Sequence, residues 1–259
     1  VSRHGVIFNW LWILDETGKE PKDYHITPMK LSRILSNQNG VSRKQANALI
    51  AAGKIMVDGI ICQEAAREIN RFSEVTSQGR IVQPGEPSCY LMLHKPAGYL
   101  SATTDTVHQT VMELIDPHLH NDLHIAGRLD RASTGLLILT NDGTWSRRLT
   151  EPAIKMPKVY RVSTASAIAP ETAKRFADGI WFAFEKLRTS PARLELLGPQ
   201  EARVTIYEGR YHQVKRMFHA VGNRITALHR EKMGDIQLDD RLSPGAYRCL
   251  TEEEIRSVR

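Results

Sequence analysis

The chain has 259 residues, 41% hydrophobic and 25% charged, with a formal net charge of +6 and an isoelectric point near 9.3. That length admits two domains, since single cores stop growing near ~250 residues, and the composition is ordinary globular material. Three cysteines, Cys62, Cys89 and Cys249, are odd in number and lack paired spacing, so they imply neither a disulfide framework nor a metal site and fit a reducing, cytoplasmic compartment. The ten histidines also lack ligand spacing. His118, His120 and His124 fall close together in an expected loop, where a metal site is the alternative; the expectation is no metal and no cofactor. Positive charge is clustered. Between Lys30 and Asp58 stand five Lys or Arg against one acid, and between Arg203 and Lys232 seven against two. Two separate basic clusters fit an extended anionic ligand better than a point ligand, with solvated faces as the alternative.

Taken in order, residues 1–28 differ from the rest. The apolar run 6–14 is far shorter than the ~20 residues of a membrane span, and no small-residue cleavage pattern follows it. No membrane association is expected, and these residues read as a leader outside the fold. From Met29, Leu31, Ile34 and Leu35 keep helical spacing until Asn39-Gly40. Ser42 with Gln45 forms a capping-box pattern for a second helix with Ala46, Leu49 and Ile50 on its apolar face, ended by Gly53. Apolar runs at 54–57 and 60–62 flank Asp58-Gly59, a two-residue hairpin signal. The module is therefore helix, helix, hairpin over 29–77. Residues 78–88, with Gly79, Pro84, Gly85 and Pro87, read as a linker.

The remainder, 89–259, begins with a strand at 90–93 that ends at His94-Lys95-Pro96. A short helix is predicted at 110–115 and another at 144–149 after Asn141-Asp142-Gly143. Residues 158–162 alternate as a strand, with Lys158, Tyr160 and Val162 on one face. A helix at 169–177 ends at Gly179, and a strand pair covers 193–197 and 203–207. Val214, Met217, Phe218 and Val221 mark the core side of the next helix, leaving His212, Lys215, Arg216 and His219 on its other sides. Strands follow at 225–229, 235–238 and 247–250, and Thr251 with Glu254 caps a last helix. Strands outnumber helices and hairpin turns recur, so the body is α+β with a mostly antiparallel mixed sheet flanked by helices. There is no G-x-G-x-x-G, no phosphate-binding loop of Walker type, no G-x-S-x-G, no repeat and no low-complexity tract.

One stretch organises this body. Gly127-Arg128-Leu129-Asp130-Arg131-Ala132-Ser133-Thr134-Gly135 places one carboxylate between two arginines and two glycines, then runs into Leu136-Leu137-Ile138-Leu139-Thr140. It reads as a reactive loop feeding a buried strand; a turn with a surface salt bridge is the bland alternative. The run GRLDRASTGLLILTNDG resembles the signature of the bacterial ribosomal pseudouridine synthases, in their small-subunit branch. A second run, EGRYHQVKRM from Glu208 to Met217, is similar to that branch's second signature, and the resemblance spans about residues 30–259.

The resemblance implies the chemistry. Pseudouridine formation breaks a nitrogen–carbon glycosidic bond and makes a carbon–carbon one on the same base, with no redox agent and no energy source. Asp130 matches the catalytic aspartate, adding to carbon 6 of the uracil or capturing the glycosidic carbon of the ribose. Lys215 matches the basic partner that favours the charged carboxylate. Tyr160 matches the tyrosine that stacks on a flipped uracil, although a strand aromatic is otherwise core. Arg128 would fill the vacated space or hold a phosphate, with Arg216 and Arg210 as further RNA contacts. The module at 29–77 resembles the small S-four RNA-binding domain, whose paired helices would present Arg33, Ser42, Arg43 and Lys44 to RNA backbone. A protein-contact helical hairpin is the alternative there. The expected partner is ribosomal RNA, small-subunit in the first place and large-subunit in the second, with the chain acting as a monomer. A non-catalytic RNA-binding assembly factor and a carboxylate-pair glycoside hydrolase are the competing readings.

Overall fold

The computed structural model describes residues 29–38, 40–120 and 122–258; the expected leader, with its apolar run at 6–14, lies outside them. The chain divides into two compact units, Val1–Pro87 and Ser88–Arg259. No helix among the described residues is long and apolar enough to cross a membrane.

In the first unit, β1 (Met29–Lys30) leads into α1 (Leu31–Ser36) and pairs antiparallel with β4 (Glu68–Ile69). The second helix, α2 (Arg43–Ala51), starts at the expected capping box: the Ser42 hydroxyl accepts from the Gln45 amide, and the Gln45 side chain accepts from the Ser42 amide. The strands β2 (Ile55–Val57), β3 (Ile60–Ile61), β5 (Glu74–Ser77) and β6 (Arg80–Pro84) form an antiparallel sheet in the order β3-β2-β5-β6. Leu31, Ile34, Leu35, Ala46 and Ile50 of the helices pack on Ile55, Val57, Cys62, Ile69 and Val75. Asp58 and Gly59 both take positive φ (51° and 75°), as a type I′ hairpin turn requires.

The linker expected at 78–88 is replaced for most of its length by structure. Gln78 and Gly79 make a second turn with both φ positive, and Arg80–Pro84 return along β5. Gln is not a residue that announces such a turn, and Pro84 pairs only at the strand's end, against Glu74. Gly85 passes so close to the chain at Phe72 that an added Cβ would stand 2.8 Å from its carbonyl oxygen.

The second unit is built on one nine-stranded sheet. Along its main path the order is β13 (Arg193–Gly198), β14 (Glu201–Ile206), β10 (Lys158–Thr164), β15 (Ile225–Met233), β9 (Thr134–Thr140), β7 (Tyr90–Lys95) and β17 (Tyr247–Cys249). Off that path, β8 (His124–Ala126) pairs with β9, and β16 (Ile236–Gln237) with β15. Every pairing in this sheet is antiparallel except β15 with β9, which sets His229 beside Thr134 and Arg230 beside Gly135. A separate hairpin joins β11 (Trp181–Phe182) and β12 (Leu187–Arg188).

Strands β7 and β9 are apolar on both faces because both are covered. Leu91, Leu93, Leu137 and Leu139 join a core with Phe176 of α4 (Thr172–Ala177) and Val214, Met217 and Phe218 of α5 (Gln213–Ala220). Met92, Leu136 and Ile138 face Trp145 and Leu149 of α3 (Gly143–Thr150), where Ile255 of α6 (Glu252–Ser257) and Val258 just after it also pack. At about 1.5–3 kcal/mol per fully buried large apolar side chain, these two layers fix the sheet's register.

Some boundaries differ from the pattern reading. The segment at 110–115 is a 3-10 helix, Val111–Leu114, with a Thr110/Glu113 capping box. α4 begins at Thr172 rather than 169, because the Ile168 amide is held by the Pro199 carbonyl. β15 continues past His229 to Met233 through Arg230-Glu231-Lys232, a run whose charges hide its strand character, and Arg230 in it is 1% exposed.

Gly135 has φ +105°, and a Cβ there would stand 2.6 Å from the Arg230 backbone nitrogen and closer still to its carbonyl oxygen. Gly135→Ala is therefore expected to destabilise the second unit by on the order of 3 kcal/mol, read as a lowered urea midpoint. An unchanged midpoint would show that β9 and β15 do not approach this closely.

Candidate active site

The loop from Gly127 to Ser133 is irregular, so its carbonyls have no ladder partners and must find others. Two buried cations supply them. The Lys95 ammonium, with no exposed surface, donates to the carbonyls of Pro96 (3.0 Å), Arg131 (3.2 Å) and Ser133 (2.9 Å). The Arg230 guanidinium donates through Nη2 to Gly127 (2.8 Å), through Nη1 to Arg128 (3.3 Å) and through Nε to Leu136 (2.8 Å). Three ammonium protons meet three carbonyls, and the planar fork spans the loop's entry and exit. A neighbouring loop completes the frame. The Ser101 hydroxyl donates to the Leu129 carbonyl and accepts from the Leu129 amide, while Gly98 and Arg131 exchange two bonds. Leu129 and Arg131 are thus fixed on both sides of Asp130.

The Asp130 carboxylate itself is partly exposed and held from the second signature. Lys215 Nζ lies 2.6 Å from Oδ2, and His212 Nε2 lies 3.2 Å from Oδ1. The turn that delivers both is closed by a buried Glu208. Its carboxylate accepts from the Ser190 amide (3.0 Å), the Gln213 side chain (2.7 Å) and Arg210 Nε (3.1 Å), and the Gln213 side chain accepts from the Arg210 amide. The chain then enters α5 through His212 at φ +48°, a left-handed conformation that costs a non-glycine residue energy and persists only where its surroundings impose it.

The structure thus brings Asp130 and Lys215 together. Tyr160 lies on the buried face of β10 with Lys158 and Val162. It stands opposite Arg230 in register, next to a one-residue register shift in the β10–β15 pairing, and is 7% exposed within the main core. Arg128 is exposed at the loop. Arg210 pairs with Glu208, and Arg216 makes a two-pronged pair with Glu185 at 2.6 and 2.5 Å, so both expected phosphate ligands already have carboxylate partners. Arg33, Ser42, Arg43 and Lys44 are exposed on the first unit, with the Ser42 hydroxyl serving as the α2 cap.

Pattern reading missed His212, Lys95, Arg230, Ser101, Glu208 and Gln213. Glu208, His212 and Gln213 lie inside the second signature, so position alone marked them. Lys95 and Arg230 each end or interrupt an apolar strand, which is the one trace a buried cation leaves in a sequence. Among the described residues no group of three His, Cys, Asp or Glu side chains is placed to hold a metal ion.

Burial, opposed by the Asp130 carboxylate and reinforced by Arg230, brings the Lys95 ammonium down to about 8; burial reinforced by Arg230 brings Lys158 down to about 8 as well. An unfolded lysine titrates near ~10.4. Below about pH 8 both states carry the proton and the cost of the buried charge is fully present. Between about pH 8 and 10 the unfolded chain binds more protons, so these two lysines make stability rise with pH. Lys158→Met should therefore lose a positive slope of unfolding free energy against pH in that window; a wild-type slope equal to or below the variant's contradicts this.

The chain matches known proteins along most of its length. The family model described as RNA pseudouridylate synthase matches residues 89–220. The ribosomal small subunit pseudouridine synthase A of Pseudomonas aeruginosa is 51% identical over 230 residues, covering 89% of this chain and all of the relative. Its namesakes in Escherichia coli and Vibrio cholerae are 46% and 44% identical, covering 89% of this chain and 100% and 99% of the relatives. A crystal structure described as pseudouridylate synthase is 38% identical, with a TM-score of 0.65, over 89% of this chain and all of that one. The chain belongs to the pseudouridine synthases, isomerases that act on RNA, in the branch of the ribosomal small-subunit synthase A.

Proposed function

We propose that the protein converts a uridine of small-subunit ribosomal RNA to pseudouridine, with Asp130 as the nucleophile. The single observation behind this reading is the carboxylate's setting: its backbone neighbours are fixed by buried cations, and each of its oxygens faces a donor, Lys215 or His212. An oriented, partly exposed carboxylate of this kind suits covalent attack. The reaction breaks the bond from N1 of the base to the ribose and joins C5 of the same base to that ribose carbon. The proton on C5 is given up and N1 gains one, so atoms and charge balance with no co-reactant. Attack on carbon 6 of the base and capture of the ribose carbon are both within reach of such a carboxylate.

The target base leaves the helical stack at a cost of a few kcal/mol. Tyr160 stacks on it with a ring that the core otherwise immobilises, and Arg128, exposed beside Asp130, fills the vacated space or holds the neighbouring phosphate. The first unit serves as an S-four-like RNA-binding domain, presenting Arg33, Arg43 and Lys44 to the RNA backbone. The small-subunit substrate is supported by the relatives' names; on this reading the protein acts in the cytoplasm, as a monomer.

Asp130→Asn should bind RNA at close to the native affinity and lose isomerisation by on the order of 10⁴ or more; pseudouridine formed at the native rate by that variant removes Asp130 from the chemistry. Mapping pseudouridine in both ribosomal RNAs from a strain lacking the protein should show one small-subunit position reverting to uridine. Retention of every small-subunit site contradicts the substrate assignment.

A further inference from the structure

Two aromatic side chains of the second unit stand in solvent. Tyr211 is 73% exposed and Phe184, at the tip of the β11–β12 hairpin, is 94% exposed. Single exposed aromatics need no explanation, but these two are tied to one guanidinium. Arg216 grips Glu185, the residue after Phe184, with both terminal nitrogens, lies 3.8 Å over the Phe182 ring, and reaches the Tyr211 carbonyl through Nη1 at 3.4 Å. Arg216 therefore acts as a strut that holds the hairpin tip against the Tyr211–His212 segment. Strand alternation puts Trp181 on the opposite side of the hairpin from Phe182, and so away from Arg216.

The Tyr211 ring is stacked on the His212 imidazole, with centroids 3.9 Å apart and planes 18° from parallel. That imidazole is the one whose Nε2 lies 3.2 Å from Asp130. One face of the Tyr211 ring is thus occupied and the other is open, a single side chain away from the nucleophile. Arg128 is exposed in the loop that carries Asp130. An open aromatic face with a cation in the same site suits a nucleobase with its phosphate, and such stacking is indifferent to sequence because every base has a π-face.

We propose that Tyr211, with Phe184 on the hairpin that Arg216 ties to the Tyr211 segment, is the stacking platform for the unpaired RNA bases that flank the target uridine. This rests on the reading of the protein as an RNA uridine isomerase. Taking a uridine out of its stack leaves its neighbours without one, and the platform restores a partner on one side. In this arrangement Arg216 confers affinity by positioning aromatics rather than by contacting phosphate.

The test uses the full chain and three variants, Tyr211→Ala, Tyr211→Trp and Phe184→Ala, all at exposed positions. Binding is measured by anisotropy with a labelled single-stranded RNA, and steady-state kinetics with unmodified small-subunit ribosomal RNA. Tyr211→Ala should raise Kd and KM about tenfold, Phe184→Ala by a smaller factor, and Tyr211→Trp should restore both. A Tyr211→Ala protein with native Kd and KM overturns the proposal. So does one that loses kcat alone, since Tyr211 would then act only through His212 on Asp130. Failure of the wild-type protein to isomerise the ribosomal RNA would overturn the substrate reading instead, while the binding measurement still decides the platform.

Discussion

Six hydrogen bonds from two buried cations to backbone carbonyls are what the site depends on. Arg230 and Lys95 lie under the nucleophile loop, and between them they satisfy carbonyls at residues 96, 127, 128, 131, 133 and 136. Burying a charge is costly unless its donors are matched, and an orphaned buried carbonyl costs roughly 1–3 kcal/mol. Here loop and cations offset each other's problem: the loop needs donors, and the cations need acceptors. The result is a loop with no regular structure whose backbone is nonetheless fixed, which is what an oriented nucleophile requires. The glycine at 135 belongs to the same device, because only without a Cβ does β9 come against the backbone that carries Arg230.

The other half of the site arrives from far along the chain. Glu208 and Gln213 close a turn whose last residue, His212, is held left-handed, and that strain aims His212 and Lys215 at opposite oxygens of Asp130. The two halves meet because β15 follows α5 directly and pairs in parallel with β9, so the segment that supplies the donors is anchored to the strand that follows the nucleophile. The lone parallel pairing in an otherwise antiparallel sheet is thus the topological feature that assembles the site.

Much of this was legible beforehand, and for physical reasons. Leu136 to Thr140 is apolar without alternation because β9 is covered on both faces; Ser42 with Gln45 and Asp58-Gly59 announced a helix start and a hairpin because capping and left-handed turns need those residue types. Gln78-Gly79 was illegible, since Gln rarely takes a left-handed φ, and β6 was therefore read as a linker. Arg230 was illegible for a different reason. A buried cation and a surface cation are the same letter, and only the pairing of β15 with β9 separates them. Arg216 and Arg210 show the converse: a cluster of positive letters does not show that Glu185 and Glu208 already answer two of them.

The most direct test of the central claim is the single-turnover isomerisation rate of Arg230→Lys, measured with the hydrogen exchange of the amides from 128 to 135. Lysine keeps the charge but cannot reproduce the planar fork that spans Gly127, Arg128 and Leu136. The account predicts a folded protein that binds RNA as before, exchanges those amides faster and isomerises uridine roughly a hundredfold more slowly. A native rate alongside faster exchange would contradict it, because the nucleophile would then work without the frame beneath it.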